Sequence, residues 1–201
     1  MISSGSKVWI LAALAITTIL LAPMSLQSEE IDSMSLINQV QPLNEIRVGK
    51  KLFTTSDIII NASPSQVWEV LTDYDRATEI FSNLTKSKII SISGSVKKVA
   101  FTVVTEGKLL HFSYVLAITE KRPEIIEWKR ASGDFKENEG YWKLTPLNNG
   151  KSTLMKYAKH IDGGLFFPQF LVRKSVRSSI PVIFAELKNA SELKKVAEGK
   201  P

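Results

Sequence analysis

The sequence predicts an α+β fold in which a curved, seven-stranded antiparallel sheet wraps around a long C-terminal helix. Three observations lead to this prediction. A sharply marked helix start follows the first strand, an alternation of period two then continues from Thr85 to about residue 161, and an apolar stripe with helical spacing follows it. A chain of 201 residues is long enough to form one such domain with a substantial core.

The first strand and first helix have clear local signals. The strand is predicted over Lys51 to Asn61, because it ends in a run of β-branched residues. Ser63 can cap the following helix, Pro64 suits its first position, and Gln66 stands where a capping box requires it. The apolar face of this helix predicts an end near Thr72.

Short turns separate the strands that follow, after a second short helix predicted over Asp75 to Phe81. Alternation of apolar and polar residues is clearest from Leu110 to Thr119. Consecutive strands joined by short turns form a meander with one covered face. The predicted breaks between strands lie at Gly107–Lys108, Arg122–Pro123, Gly133–Asp134 and Asn148–Gly150.

The final helix is predicted to begin at Pro168, after a glycine pair. Pro181 lies inside it and removes a backbone donor, which predicts a kink near Val176 to Arg177. Apolar residues recur at spacings of four and three, as expected for one face of a helix. They are Val172, Val176, Ile180, Ile183 and Leu187.

The N-terminal segment has the pattern of an export signal. Lys7 precedes an apolar run from Val8 to Ala22, and acidic residues follow. The run is shorter than the ~20 residues of a membrane span, and no clear cleavage site follows it. We therefore expect a signal peptide or an uncleaved anchor over residues 1–26, a tether over 27–48, and a domain over 49–198. The domain is expected outside the cytoplasm, either periplasmic or membrane-anchored.

Composition excludes several classes of site. The chain has no cysteine, which rules out disulfides, thiolate metal sites and thiol nucleophiles. Only two histidines are present, and we predict neither a metal nor a cofactor. The net charge of +6 is concentrated near the C-terminus, which favours an anionic membrane surface or a solvated helix face. Nucleic-acid binding is not expected, because no nucleic-acid motif is present.

Four stretches resemble the START-like (SRPBCC) superfamily, in particular its polyketide cyclase/dehydrase and coenzyme Q-binding branch. They are Ile60–Trp68, Leu71–Tyr74, Gly133–Phe135 with Gly140–Leu144, and the proline-bearing final helix. The resemblance covers about residues 51–190. It implies a helix-grip fold with a deep apolar cavity between sheet and helix, of the kind that binds quinones, sterols, fatty acids, phospholipids or polyketides.

The sheet is also rich in aromatic residues, more than a narrow helix stripe of valine and isoleucine can cover. Loops, small helices or a bound molecule could fill the remaining space, or the aromatic residues could form a dry core. Together with the resemblance, this predicts a set of cavity-lining residues. They are Phe101, Val103, Phe112, Tyr114, Trp128, Trp142, Val172, Val176 and Ile180.

The connection before the final helix is the predicted mouth of the cavity. Two glycines permit hinge motion, two phenylalanines follow, and basic residues occupy the next turns. This pattern suits contact with a bilayer, although the phenylalanines could instead plug the end of the sheet. The residues concerned are Gly163, Gly164, Phe166, Phe167, Arg173, Lys174 and Arg177.

No catalytic constellation is evident, and His160 and Tyr157 are only weak acid–base candidates. The leading hypothesis is a monomeric carrier or chaperone for a hydrophobic small molecule near a membrane. The first alternative is an enzyme of the cyclase/dehydrase type acting on a polyketide-like substrate, which the export signal disfavours. The weaker alternative is a protein-interaction module.

Overall fold

The fold is an eight-stranded antiparallel sheet with its helices on the concave face. A computed structural model of the chain describes residues 42–105, 110–165 and 167–198. The expected signal or anchor, most of the tether, the turn at 107–108 and Phe166 lie outside these residues. The elements are β1 (Asn44–Val48), β2 (Lys51–Ile60), α1 (Pro64–Thr72), a 3-10 turn (Tyr74–Arg76), α2 (Ala77–Ile80), β3 (Leu84–Ser93), β4 (Val96–Val104), β5 (His111–Lys121), β6 (Ile125–Gly133), β7 (Glu137–Leu147), β8 (Ser152–Asp162) and α3 (Gln169–Glu198).

The strand order is β1-β2-β8-β7-β6-β5-β4-β3, and all neighbours are antiparallel. Six consecutive strands form the predicted meander from β3 to β8. The last strand, β8, then pairs with β2, which brings the two ends of the domain together. Helix α3 packs against β2, β8 and the two shorter helices. This is the helix-grip architecture of the START fold.

The structure has one strand more than the sequence analysis predicted. The additional strand, β1, lies in the segment that the prediction treated as tether. It pairs with β2 through a tight turn at Gly49, whose φ of +59° suits glycine. All five residues of β1 are exposed, so the strand lacks the buried, alternating pattern from which strands are predicted.

The predicted capping box starts α1. The backbone N–H of Gln66 donates to Ser63 Oγ at 3.3 Å, and the N–H of Ser63 donates to Gln66 Oε1 at 3.0 Å. Beyond the helix, Tyr74 donates its hydroxyl to Glu120 at 2.8 Å, and Lys97 pairs with the same carboxylate at 2.8 Å. The Tyr74 bond holds the 3-10 turn against β5, and the ion pair links β4 to β5.

Helix α3 continues through Pro181, and its two halves have different surroundings. The C-terminal half is bound to the end of β2. Lys195 donates to Asn61 O at 2.9 Å, Glu192 accepts from Asn61 N at 2.8 Å, and Lys188 donates to Ile59 O at 3.2 Å. The N-terminal half instead faces the sheet partly across a cavity.

In the described part of the chain, no helix combines the length and hydropathy needed to cross a membrane.

Candidate functional site

A cavity of about 270 Å³ lies between the sheet and the N-terminal half of α3. We call it the apolar cavity. Strands β4 to β8, the two short helices and α3 supply its walls, which are mostly aliphatic and aromatic side chains. Ligand-binding cavities in proteins usually measure about 300–1,000 Å³, so this one suits a small or single-chain ligand.

Eight of the nine residues proposed from the sequence line the apolar cavity. They are Phe101, Val103, Phe112, Tyr114, Trp128, Trp142, Val172 and Val176. The ninth, Ile180, does not line it. Its side chain is 1% exposed and packs in the core, because α3 closes onto the sheet at this turn.

The aromatic residues form both a packed cluster and the cavity wall. The rings of Trp142 and Tyr157 lie 4.1 Å apart between centroids, and Trp128 lies 6.1 Å from Trp142. Gly140 makes this packing possible. A Cβ at that position would lie 2.4 Å from the Trp128 ring and 2.2 Å from Ala158 O. Part of the aromatic surface is therefore core, which agrees with one interpretation of the sequence, and part faces the apolar cavity.

Lys159 is the residue that sequence reasoning missed. Among the described residues that line the apolar cavity, it alone carries a formal charge. It is opposite Gly140 in β7 and Thr54 in β2, on the same face of β8 as the buried Tyr157 and Ile161. Desolvation lowers the pKa of Lys159 to about 8. The alternation along β8 was the available signal, because it places a lysine at an inward position.

Two tyrosines of the apolar cavity wall carry hydroxyl groups that can donate hydrogen bonds. Burial raises the pKa of both Tyr114 and Tyr157 well above the ordinary value. Each tyrosine therefore stays protonated at neutral pH and can donate a hydrogen bond to a ligand oxygen. Neither is suited to act as a base under these conditions.

The two acid–base candidates are not brought together. Tyr157 lines the apolar cavity, whereas the neighbouring His160 points to the opposite face of the sheet, as alternate residues of a strand do. There the His160 ring packs on Phe53 at 5.6 Å, and its Nδ1 is 2.9 Å from Leu52 O. Its Nε2 is 3.4 Å from a carboxylate oxygen of Glu137. A shared proton-transfer role for His160 and Tyr157 has no geometric support.

The connection from β8 to α3, the predicted mouth, lies beside the apolar cavity, because Phe167 and Pro168 line it. A Cβ on Gly163 would lie 2.7 Å from Phe167 Cβ, and Gly164 has a φ of +71°. Both glycines thus have a packing or backbone reason to be there. Phe167 lines the apolar cavity and meets Phe112 edge-on at 5.1 Å, while Phe166 lies outside the described residues.

Other apolar residues are exposed at this mouth. Leu165 is 100% exposed and Phe170 is 64% exposed. Leu110 and Leu171 are more than half exposed and also line the apolar cavity. Sequence reasoning singled out the phenylalanines of the connection and passed over these residues.

A second cavity, of about 310 Å³, lies beside the first, and its wall combines aliphatic residues with several basic ones. We call it the basic cavity. Arg173 lines it with Arg47, Lys50 and Lys159. Of the other predicted mouth cations, Lys174 is exposed, and Arg177 forms an ion pair with Glu45 at 3.5 Å. Within the described ranges, no three potential metal ligands come together.

Comparison of the sequence with models of protein families identifies the family of this chain. Residues 60–187 match the family model described as polyketide cyclase/dehydrase and lipid transport. The chain belongs to this family. The matched residues include the capping box, the meander and most of α3, and so span the walls of the apolar cavity. A search of curated proteins found no match to this chain.

Solved structures show the same fold for this domain. It is similar to the Zhui aromatase/cyclase from a Streptomyces species, with a TM-score of 0.63, 18% identity, and coverage of 74% of this chain and 98% of that one. It is also similar to the human StAR-related lipid transfer protein 5, with a TM-score of 0.60, 16% identity, and coverage of 85% and 97%. A START superfamily protein from Mycobacterium smegmatis has a TM-score of 0.61 at 16% identity, with coverage of 70% and 97%. At these identities the likeness concerns the fold.

Proposed function

We propose that the protein binds a hydrophobic small molecule in the apolar cavity and carries or chaperones it without chemical change. The observation that carries this proposal is the cavity itself, whose walls are mostly aliphatic and aromatic. Apolar surface of this kind gains free energy when a ligand displaces water from it. Family membership and the fold support the same conclusion. Candidate ligands are quinones, isoprenoids, fatty acyl compounds and other lipids.

Analysis of co-purified lipid tests this proposal. The full-length chain is purified from its native host without exposure to detergent, and an organic extract is analysed by mass spectrometry. We expect one lipid class to be enriched over an extract of an unrelated protein prepared in parallel. An extract with nothing above that background, from folded protein, would contradict the proposal.

We further propose that the mouth of the cavity contacts a membrane. Exposed Leu165, Phe170 and Leu171 stand beside exposed Arg173 and Lys174. Apolar residues that enter the interface, with cations near anionic lipid head groups, are the two components of peripheral membrane binding. The N-terminal signal pattern supports a location outside the cytoplasm, where such a carrier would meet a membrane surface.

Liposome binding tests the proposed membrane contact. The double variant Leu165→Ser/Phe170→Ser should bind at least threefold more weakly than wild type to vesicles of phosphatidylcholine with phosphatidylglycerol at low salt. The matched control is Leu193→Ser/Val196→Ser, at the other end of α3, where both residues are similarly exposed. Equal loss in both double variants would remove the assignment of the mouth as the contact.

A further inference from the structure

Lys159 has an unusual position for a cation. It lines a cavity whose other described wall residues are uncharged, and it is half-buried on the same face of β8 as Tyr157 and Ile161. No hydrogen bond or ion pair to another of the described residues holds its ammonium group. A partly desolvated cation without a partner is unfavourable for folding, and such groups are often found at binding or functional sites.

The basic cavity begins where the apolar cavity ends. Lys159, Ile161, Val172 and Val176 line both of them, so these four residues form the wall between the two spaces. A ligand with its apolar part in the first cavity would therefore have its polar end next to Lys159.

The charge in the basic cavity is predominantly positive. Besides Lys159, its wall contains His160 and the cations Arg47, Lys50 and Arg173. Within the part of the chain that the structure describes, the side chains of these three cations form no hydrogen bond or ion pair. One carboxylate, Asp162, also lines the basic cavity. That carboxylate is already bonded to Lys136 at 2.9 Å and to the N–H of Gly164 at 2.8 Å, so it does not neutralise the four cations.

The start of α3 adds to this positive potential. The N-terminal end of a helix carries a partial positive charge and usually has acidic residues in its first turn. Helix α3 has none there, and Arg173 follows within the second turn. Gln169, the first residue of the helix, lines the basic cavity. The helix end and the cations repel one another unless an anion lies between them.

We propose that Lys159 and the basic cavity bind an anionic head group of the ligand whose apolar part occupies the apolar cavity. This inference rests on the proposed function and specifies its ligand class. The ligand is an amphiphile with one carboxylate or phosphate group and one apolar chain or ring system. The ammonium of Lys159 meets the anion at the boundary, and Arg47, Lys50 and Arg173 surround it on the outer side.

Three probes with the same twelve-carbon chain test this assignment. Dodecanoate, dodecyl phosphate and dodecanol are compared for displacement of a fluorescent reporter from delipidated full-length protein at pH 7. We expect each anionic probe to bind at least tenfold more tightly than dodecanol. We expect inorganic phosphate and acetate, which lack the chain, to bind far more weakly than the chain-bearing anions.

Two variants test which residues cause the preference for anionic probes. Lys159→Met, which keeps a long apolar side chain, should weaken binding of dodecanoate and dodecyl phosphate at least tenfold and leave dodecanol unchanged or tighter. Arg47→Gln/Arg173→Gln changes only exposed residues and should lower the affinity for the two anions by at least threefold. The matched control is Lys156→Met, an exposed lysine of the same strand that should bind all probes as wild type does.

The outcomes separate this inference from the function on which it rests. If the wild type binds dodecanol and the anions equally, or if Lys159→Met keeps the same anion preference, the head-group assignment is overturned while hydrophobic binding stands. Binding of inorganic phosphate as tight as that of dodecyl phosphate would also overturn it, because the cavity would then serve a free anion. If no twelve-carbon probe binds at all, the proposed function itself fails.

Discussion

Lys159 affects stability as well as binding. Its pKa in the folded protein is about 8, below the ordinary value of 10.5, because burial disfavours the charged form. Between these two values the unfolded chain binds more protons at this site than the folded chain. The contribution of Lys159 to the free energy of unfolding therefore rises as pH increases from about 8 to about 10.5.

This linkage predicts that Lys159→Met stabilises the ligand-free protein. At pH 7 the variant should gain roughly 1–3 kcal/mol in the free energy of unfolding, since an unpaired and partly desolvated charge is replaced by an apolar group. The gain should shrink as pH rises towards 10, where the wild-type lysine is neutral in the folded state. Urea denaturation at pH 7 and pH 10 measures both effects. A destabilised variant at pH 7, with Lys156→Met unchanged, would show that Lys159 has a stabilising partner.

Two adjacent serines of α3 offer a test of cavity occupancy. Ser179 lines the apolar cavity, whereas Ser178 is exposed. Both hydroxyls donate to backbone carbonyls three residues earlier in the same helix, at 3.0 and 3.1 Å. Ser179→Phe should fill part of the cavity and weaken binding of a hydrophobic reporter at least tenfold. Ser178→Phe should bind the reporter as wild type does, and similar losses in both would point to a general effect on the helix.

At the scale of single elements, the capping box of α1 shows how a local motif supports the site. Helix α1 carries the buried Val67, Trp68 and Val70, and its last turn places Leu71 in the cavity wall. The Ser63 hydroxyl satisfies one otherwise unbonded N–H at the helix start. The local signal therefore contributes both to the core and to one side of the apolar cavity.

We expect Ser63→Ala to lower the free energy of unfolding by about 1 kcal/mol, because the capping bond is lost. The matched control is Ser65→Ala, an exposed serine two residues on, which should change stability by less than about 0.5 kcal/mol. Chemical denaturation of both variants measures the difference. Equal stability of the two would mean that water replaces the cap without loss.

The two halves of helix α3 have different roles. Polar bonds from Lys188, Glu192 and Lys195 hold the C-terminal half on the end of β2. The N-terminal half lines both cavities and carries the exposed residues of the mouth. Helix α3 is therefore held on the sheet at its C-terminal end, while its N-terminal end stays accessible to a ligand.

At the scale of the whole molecule, bound ligand should contribute to stability. A ligand that binds only the folded state stabilises it by an amount that grows with concentration relative to Kd, about 2.7 kcal/mol at one hundred times Kd. Removal of co-purified lipid should therefore lower the Tm, and dodecanoate should restore it in a concentration-dependent way. Differential scanning calorimetry measures both shifts. An unchanged Tm after verified lipid removal would indicate that the removed lipid was not bound specifically to the folded protein.

Much of the fold follows from local sequence signals. The capping box, the period-two segments and the stripe of α3 predict the element order, because each signal arises from neighbours along the chain. The strand β1 escaped prediction since it is wholly exposed and depends on pairing with β2. The predicted domain boundaries and the export signal remain predictions.

The site divides in the same way. The sequence by itself determined that residues alternate between the two faces of the meander strands, and it predicted most of the aromatic wall of the apolar cavity. Only the tertiary structure decided that Lys159 stands between two cavities, that His160 faces away from Tyr157, and that Ile180 lies in the core. The physical reason is that cavity walls come from strands and helices far apart in the chain, and their relative placement depends on how α3 closes over the sheet.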